Sequence, residues 1–275
     1  MRKIGFLRLG GLLVFIIAVW IAFAASAGAA SMDAVWPECP GIDVQSNGKL
    51  VVDASNMSKG YVMARISKES KHGFKMRVSC GKVQLNYDLN SEAGYEVFPL
   101  QMGSGKYEFS LFENVKGSKY SAEGKLNLSV NLDDENAAYL VPNQYVNYQL
   151  WTSAVQKSDE LCADATPAEA YDAVTKFISS EFVYDFARAK KVAPGQLPDI
   201  DYCYDNRMGI CQDLSALMVC MLRVQGVPAK LVIGYADKYY HAWTNVVVDG
   251  KEVFFDPTVA VGALKAKKYQ IERMY

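Results

Sequence analysis

Hydrophobic positions along this chain change their spacing three times, and each change predicts a different kind of element. After the basic residues Arg2, Lys3 and Arg8, an uncharged run passes through Leu12-Leu13-Val14-Phe15-Ile16-Ile17. It ends at Ala27-Gly28-Ala29, small residues of the kind that precede a cleavage site, so residues 1–30 read as a secretory signal peptide. The stretch is nearly long enough to span a bilayer, and an uncleaved anchor is the competing reading. From about Cys39 to Leu132 the period becomes two. Tyr107, Phe109 and Leu111 fall on one face of the segment Lys106 to Phe112, and Leu126, Leu128, Val130 and Leu132 repeat the pattern. Gly103-Ser104-Gly105 and Lys116-Gly117-Ser118 sit between such runs as turn clusters. Short strands at this spacing predict an antiparallel β-sandwich over residues 31–133.

The acidic cluster Asp133-Asp134-Glu135-Asn136 marks the boundary of a second domain, residues 134–275, where helical signals begin. Thr166-Pro167-Ala168-Glu169 combines an N-cap, a proline at the first helical position and a capping-box glutamate. Ala170, Ala173, Val174, Phe177 and Ile178 then trace an apolar stripe. Leu214, Leu217, Met218, Met221 and Leu222 recur at helical spacing, and Gly226-Val227-Pro228 reads as a stop. The stretch His241 to Val248, the pair Asp249-Gly250 and the stretch Lys251 to Asp256 predict a β-hairpin with a type I′ turn. Between these elements, Lys190 to Asn206 reads as a long irregular stretch bordering a substrate cleft. Its acids and tyrosines hint at a cationic or amine-bearing substrate.

These elements place three reactive side chains. Cys211 falls in the first turn of the second helix, just after Gly209. Free amide N–H groups and the positive end of the helix dipole favour thiolate over thiol there, and the same N–H groups suit an oxyanion. In the hairpin, the two-residue turn sets Val248 opposite Lys251, and counting back sets Trp243 opposite Asp256. His241 is then a diagonal neighbour of Asp256 on the same face, within side-chain reach. A thiol, an imidazole and a carboxylate in this arrangement suit a nucleophile, a base and an orienting acid, with Trp243 walling the site.

The motifs Tyr184-Asp185, Gly209-Ile210-Cys211, Leu222-Arg223, Gly226-Val227-Pro228-Ala229, Gly234-Tyr235, His241-Ala242-Trp243 and Asp256-Pro257-Thr258 run in order from Lys176 to Thr258. This segment resembles a bacterial transglutaminase-like domain. The resemblance implies an α+β papain-like catalytic domain with Cys211, His241 and Asp256 as its triad, and the sandwich before it resembles an immunoglobulin-like module. The superfamily includes transglutaminases, thiol peptidases and peptide N-glycanases. True transglutaminases usually carry Gln before and Trp after the nucleophile, with an upstream Trp at the oxyanion. Here Ile210 and Gln212 flank Cys211, and Tyr184 or Tyr204 stands as the substitute for that Trp.

Composition narrows the partners. The 275 residues carry 29 basic and 30 acidic side chains, a net charge of −1 that gives no support for nucleic-acid binding. Two histidines and no Cys-x-x-Cys leave nothing from which to build a zinc site, and no cofactor motif is present. His72, in a polar turn, is assigned no role. Six cysteines in an exported chain suggest bridges, which makes a structural Cys211 the bland alternative. Cys220 reads as a core residue, and Cys39–Cys80 and Cys162–Cys203 are the expected pairs. The expected function is a secreted, thiol-dependent enzyme acting on amide bonds of a peptide or protein substrate through a thioester. A catalytically silent surface or cell-wall binding protein is the alternative.

Overall fold

The alternating half of the chain folds as two four-stranded antiparallel sheets. The computed structural model describes residues 34–275, so the signal peptide expected over residues 1–30 lies outside the described residues. The first sheet has the order β1 (Val44–Asn47), β2 (Leu50–Asp53), β3 (Tyr61–Ile66) and β6 (Glu96–Pro99). The second runs β5 (Val83–Leu89), β4 (Phe74–Cys80), β7 (Gly105–Lys116) and β8 (Lys119–Val130). Hairpins join β4 to β5 and β7 to β8, and the chain changes sheets after β3, β5 and β6. In β4, Phe74, Met76 and Val78 are buried while Lys75, Arg77 and Ser79 are not, the period of two that a sheet with one covered face requires. Phe109 and Leu111 of β7 join Val62, Ala64 and Phe98 of the other sheet in a common core.

Helices dominate the next stretch. These are α1 (Ser153–Leu161), α2 (Pro167–Glu181), α3 (Phe186–Ala189), α4 (Ile200–Asn206) and α5 (Cys211–Arg223), with the short strands β9 (Val183–Tyr184) and β10 (Met208–Gly209) interleaved. A third antiparallel sheet follows, in the order β13 (Lys251–Phe255), β12 (Tyr239–Val248), β11 (Ala229–Ala236) and β14 (Tyr269–Met274), with α6 (Pro257–Ala260) after β13. The Thr166 hydroxyl accepts from the Glu169 amide and the Glu169 carboxylate accepts from the Thr166 amide, the reciprocal cap that the sequence predicts for α2. From Asp213 to Arg223 every residue of α5 is buried, so this helix is the axis on which α1, α2, α4 and the third sheet pack. Where β14 passes β11 the register shifts at Gly234, and a Cβ there would lie 2.0 Å from the Gln270 carbonyl oxygen. Only glycine admits that approach.

The two halves meet at the edges of the sandwich. Tyr87 on edge strand β5 touches Phe98 on edge strand β6 edge-on, with ring centroids 5.4 Å apart, and Tyr275 lies 6.0 Å from Tyr87. Tyr145 stacks on Tyr275, and Gln101 accepts from the Tyr87 hydroxyl while donating to the Met274 carbonyl at 3.0 Å. Arg223, wholly buried at the end of α5, donates to the carbonyls of Ala229, Val141 and Tyr275 at 2.9, 2.6 and 2.8 Å. It thereby ties helix, connecting segment and last strand together.

Two expectations need correction. The stretch from Lys190 to Asn206 is not irregular throughout, because Asp199 accepts the Tyr202 amide and starts α4. The expected bridges are absent: all six cysteines are thiols, with Cys39 donating to Asp53 and Cys203 pressed against Gly209 in α4.

Candidate functional site

Cys211 owes its place to a small parallel ladder. Val183 and Tyr184 of β9 stand opposite Met208 and Gly209 of β10, and the Asp185 amide donates to the Gly209 carbonyl at 3.0 Å. Arg207, just before, takes the left-handed conformation with φ of 53° and turns the chain out of α4. Its guanidinium lies over the rings of Tyr204, Phe177 and Phe182, which anchor the turn. A Cβ on Gly209 would fall 2.7 Å from the Cys203 sulfur and 2.9 Å from the Asp213 Cβ, so glycine is what lets β10 run this close to α4 and α5.

The first turn of α5 has an unusual cap. Ile210 occupies the N-cap position and offers no side-chain acceptor. The fully buried Asp213 carboxylate instead accepts the Ile210 amide at 3.0 Å and the Asp199 amide at 2.9 Å, with the Arg188 guanidinium 3.4 Å away. Burial raises the Asp213 pKa, against the lowering effect of those two amides. Its acceptor role leaves Cys211, the first helical residue and only half-buried, at the open end of the helix.

The hairpin supplies the other two groups. Asp249 and Gly250 have φ of 49° and 72°, the pair of positive angles that a type I′ turn needs. The predicted register holds from Val248 opposite Lys251 to Thr244 opposite Phe255, with no bulge. One residue further on, Asp256 leaves the strand to cap α6. Its Oδ1 accepts the Thr258 and Val259 amides at 2.9 and 3.2 Å, and its Oδ2 faces His241 Nε2 at 2.9 Å. Both side chains are buried, 5% and 2% exposed. Burial pulls the His241 pKa down, but the bond to Asp256 and then the interaction with Cys211 outweigh it and raise the value from 6.5 to about 9. Nε2 is committed to Asp256, which leaves Nδ1 as the imidazole nitrogen available to the sulfur.

The remaining sequence candidates divide. Tyr184 lies at the site. Burial and the charge of Cys211 push its phenol up to about 12, and the Cys211 amide works in the opposite direction as a donor to the phenol oxygen. Trp243 is buried beside His241, the two rings 22° from parallel with centroids 6.2 Å apart. The Tyr204 ring lies under Arg207, with the guanidinium carbon 4.3 Å from its centroid. Of the acids in the Lys190–Asn206 stretch, Asp199 caps α4, and Asp201 and Asp205 are exposed.

Two residues escaped sequence reasoning. Asp213 carried a signal, a carboxylate three positions after a helix N-cap. Tyr269 carried none. It donates its hydroxyl to Asp256 Oδ2 at 2.8 Å from the opposite edge strand of the sheet. A separate cleft of about 510 Å³, lined by Trp36, Tyr95, Tyr148 and Leu197 among others, lies between sandwich and connecting segment and includes none of the three reactive residues.

Comparison with known proteins places the segment around these residues. Residues 156–257 match the family described as the transglutaminase-like superfamily. No protein of curated function is similar enough to match. Among solved structures, a cysteine protease candidate from Cytophaga hutchinsonii is 15% identical over 78% of this chain and 91% of its own, with a TM-score of 0.38. A protease candidate from Parabacteroides distasonis is 14% identical over 56% and 37%, with a TM-score of 0.33. Red sea bream transglutaminase is 12% identical over 72% and 48%, with a TM-score of 0.32. The chain thus spans less than half the length of the latter two. Overlaps this loose say nothing about the reaction.

Proposed function

Residues 156–257 are a transglutaminase-like domain of papain-like fold, and from that premise we propose a thiol enzyme acting on amide bonds. The observation that carries this reading is the bond between His241 Nε2 and Asp256 Oδ2 at 2.9 Å, with Cys211 acting on the same imidazole from the start of α5. Cys211 is the nucleophile, His241 the proton carrier and Asp256 the group that fixes its tautomer and steadies the imidazolium.

The steps follow from the geometry. The Cys211 sulfur adds to the amide carbonyl carbon, and the carbonyl electron pair moves to oxygen. That oxyanion meets the amides that open α5, with Tyr184 beside them in the place of the upstream Trp. As the adduct collapses, the imidazolium gives its proton to the leaving nitrogen, the C–N bond breaks, and a thioester remains on Cys211. Neutral His241 then takes a proton from water or from an amine, whose oxygen or nitrogen attacks the thioester. Collapse of the second adduct expels the thiolate. Water gives a peptidase or amidase, and an amine gives a glutamine acyltransferase.

The first 133 residues support this site as an exported, immunoglobulin-like module, and the substrate class is a peptide or protein. Strand order and sheet crossings favour that kinship, and the charge pattern of residues 1–30 favours export. A second reading has one observation in its favour: Tyr184, directly opposite Gly209 in the β9–β10 ladder, stands close enough to Cys211 to crowd the amides that would receive an oxyanion. A site closed in that way belongs to a silent binding protein.

Brief iodoacetamide treatment at mildly acidic pH, followed by peptide mapping, separates the two. The enzyme reading expects selective labelling of Cys211 that disappears in His241→Ala. A Cys211 no more reactive than the other five cysteines overturns it.

A further inference from the structure

The triad carboxylate has a fourth donor that no role yet explains. Asp256 Oδ1 is filled by two backbone amides of α6, and Oδ2 takes both His241 Nε2 and the Tyr269 hydroxyl. Tyr269 starts β14, at the edge of the third sheet opposite β13, so its ring reaches Asp256 across the face of the sheet, beside Trp243. Trp243 meets the ring edge-on at 5.1 Å and Phe254 meets it at 4.7 Å. Two aromatic walls therefore fix the direction of a single O–H bond. The phenol is held firmly in its protonated, donating form: burial, the bond to Asp256 and the charges of Asp256 and Asp237 all raise its pKa.

We propose that Tyr269 is a positioning residue, whose hydroxyl holds the Asp256 carboxylate in the rotamer that orients His241 and tempers the negative charge the imidazole feels. The proposal rests on the triad reading for its catalytic meaning, but not for its test. A donor on Oδ2 competes with His241 for the same oxygen, so it draws charge away from that hydrogen bond. Without it, Asp256 attracts the imidazolium proton more strongly. The other charged group facing His241 is Cys211 from α5, which the substitution leaves untouched.

The chain has only two histidines, which makes the measurement direct. NMR titration of the imidazole signals in wild type and Tyr269→Phe reads His241 against the exposed His72 as an internal reference. The expected result is an upward shift of the His241 midpoint by about half to one unit, with His72 unmoved. The alkaline limb of Cys211 alkylation moves by the same amount, and in an active enzyme kcat changes while KM does not. Tyr269→Leu, which also removes the ring, shows the same upward shift with a looser His241 environment. An unchanged His241 midpoint in both variants overturns the proposal. Should Cys211 prove inert in wild type, the enzyme reading falls while the His241 titration still decides the role of Tyr269.

Discussion

The sandwich and the transglutaminase-like half bury different kinds of atom. In the sandwich the interior is aliphatic and aromatic, and its most buried charged group, Asp53, sits at the end of β2 holding the Cys39–Gly41 and Ser55 turns. In the other half, Ser158, Asp213, Ser215, Arg223 and Thr244 have no exposure at all, and His241 and Asp256 have almost none. Apolar cores hold a shape and ask for no chemistry. Buried charges are costly unless every lone pair and proton is met, so their concentration around α5 and the hairpin marks where the fold has been shaped for something besides stability. The contrast predicts that substitutions in the polar half separate into those that remove reactivity and those that remove the fold.

The largest effect belongs to reactivity alone. Under the proposed function Cys211→Ala is expected to abolish turnover, by roughly 10⁴-fold or more, because no other group beside His241 supplies a nucleophile. Its denaturation midpoint stays close to wild type, since the thiol is half-buried at an open helix end. A kinetic assay paired with urea unfolding checks this, and a variant that lost both together would erase the distinction between site and scaffold. Arg223→Ala does the opposite. It strands the carbonyls of Val141, Ala229 and Tyr275 and costs about 3–5 kcal/mol, measured by the same unfolding curve.

How much of this contrast was legible beforehand differs by residue, and the reason is range. Cys211 at a helix start and His241 opposite the end of a hairpin are statements about neighbours in sequence, and the Asp249-Gly250 turn fixed the register without a bulge. The β4 and β7 alternations are local in the same sense. Tyr269 was invisible because it reaches Asp256 from the opposite edge of a four-stranded sheet, a contact that no periodicity encodes. The short helix α4 hid because seven residues carry too little pattern, and its cap, Asp199, read as one of the acids bordering a cleft.

His241 joins the two classes of effect through pH. Its folded value of about 9 lies above the unfolded 6.5, so the pairing contributes stability that is fully present below pH 6.5 and is lost as pH rises through 9. The contribution is on the order of 3 kcal/mol, and unfolding curves from pH 6 to 10 should decline through that window. Under the proposed mechanism turnover falls over the upper part of the same range, because the imidazolium that would protonate the leaving nitrogen disappears. In Cys211→Ala one of the interactions that raise the value is gone, and the decline shifts to lower pH. A stability profile flat between pH 6.5 and 9 contradicts the buried ion pair.

Asp213→Asn tests whether a scaffold charge reaches the site. The carboxylate serves two amide donors, and an asparagine can turn only one acceptor oxygen toward them, leaving an N–H facing an N–H. About 2–3 kcal/mol of stability should go. Because Ile210 is one of the two donors, the start of α5 shifts with it, and Cys211 alkylation slows beyond what the lost stability explains.

The smallest expected effect lies where the two halves meet. Gln101 accepts from Tyr87 and donates to Met274, so Gln101→Ala leaves a buried hydroxyl and the last carbonyl of β14 without partners. The cost is about 1–2 kcal/mol, because the stack of Tyr145 on Tyr275 and the packing of Tyr275 against Tyr87 remain. What matters is the shape of the thermal unfolding curve. If sandwich and transglutaminase-like half fold as one cooperative unit, the variant melts earlier in a single transition. If they are independent, the lost bond splits the transition in two. β14 begins at Tyr269, bonded to Asp256, and ends at Met274, bonded to Gln101 of the sandwich side. A single transition therefore means that the apolar half, for all its lack of chemistry, holds the strand whose first residue donates to Asp256.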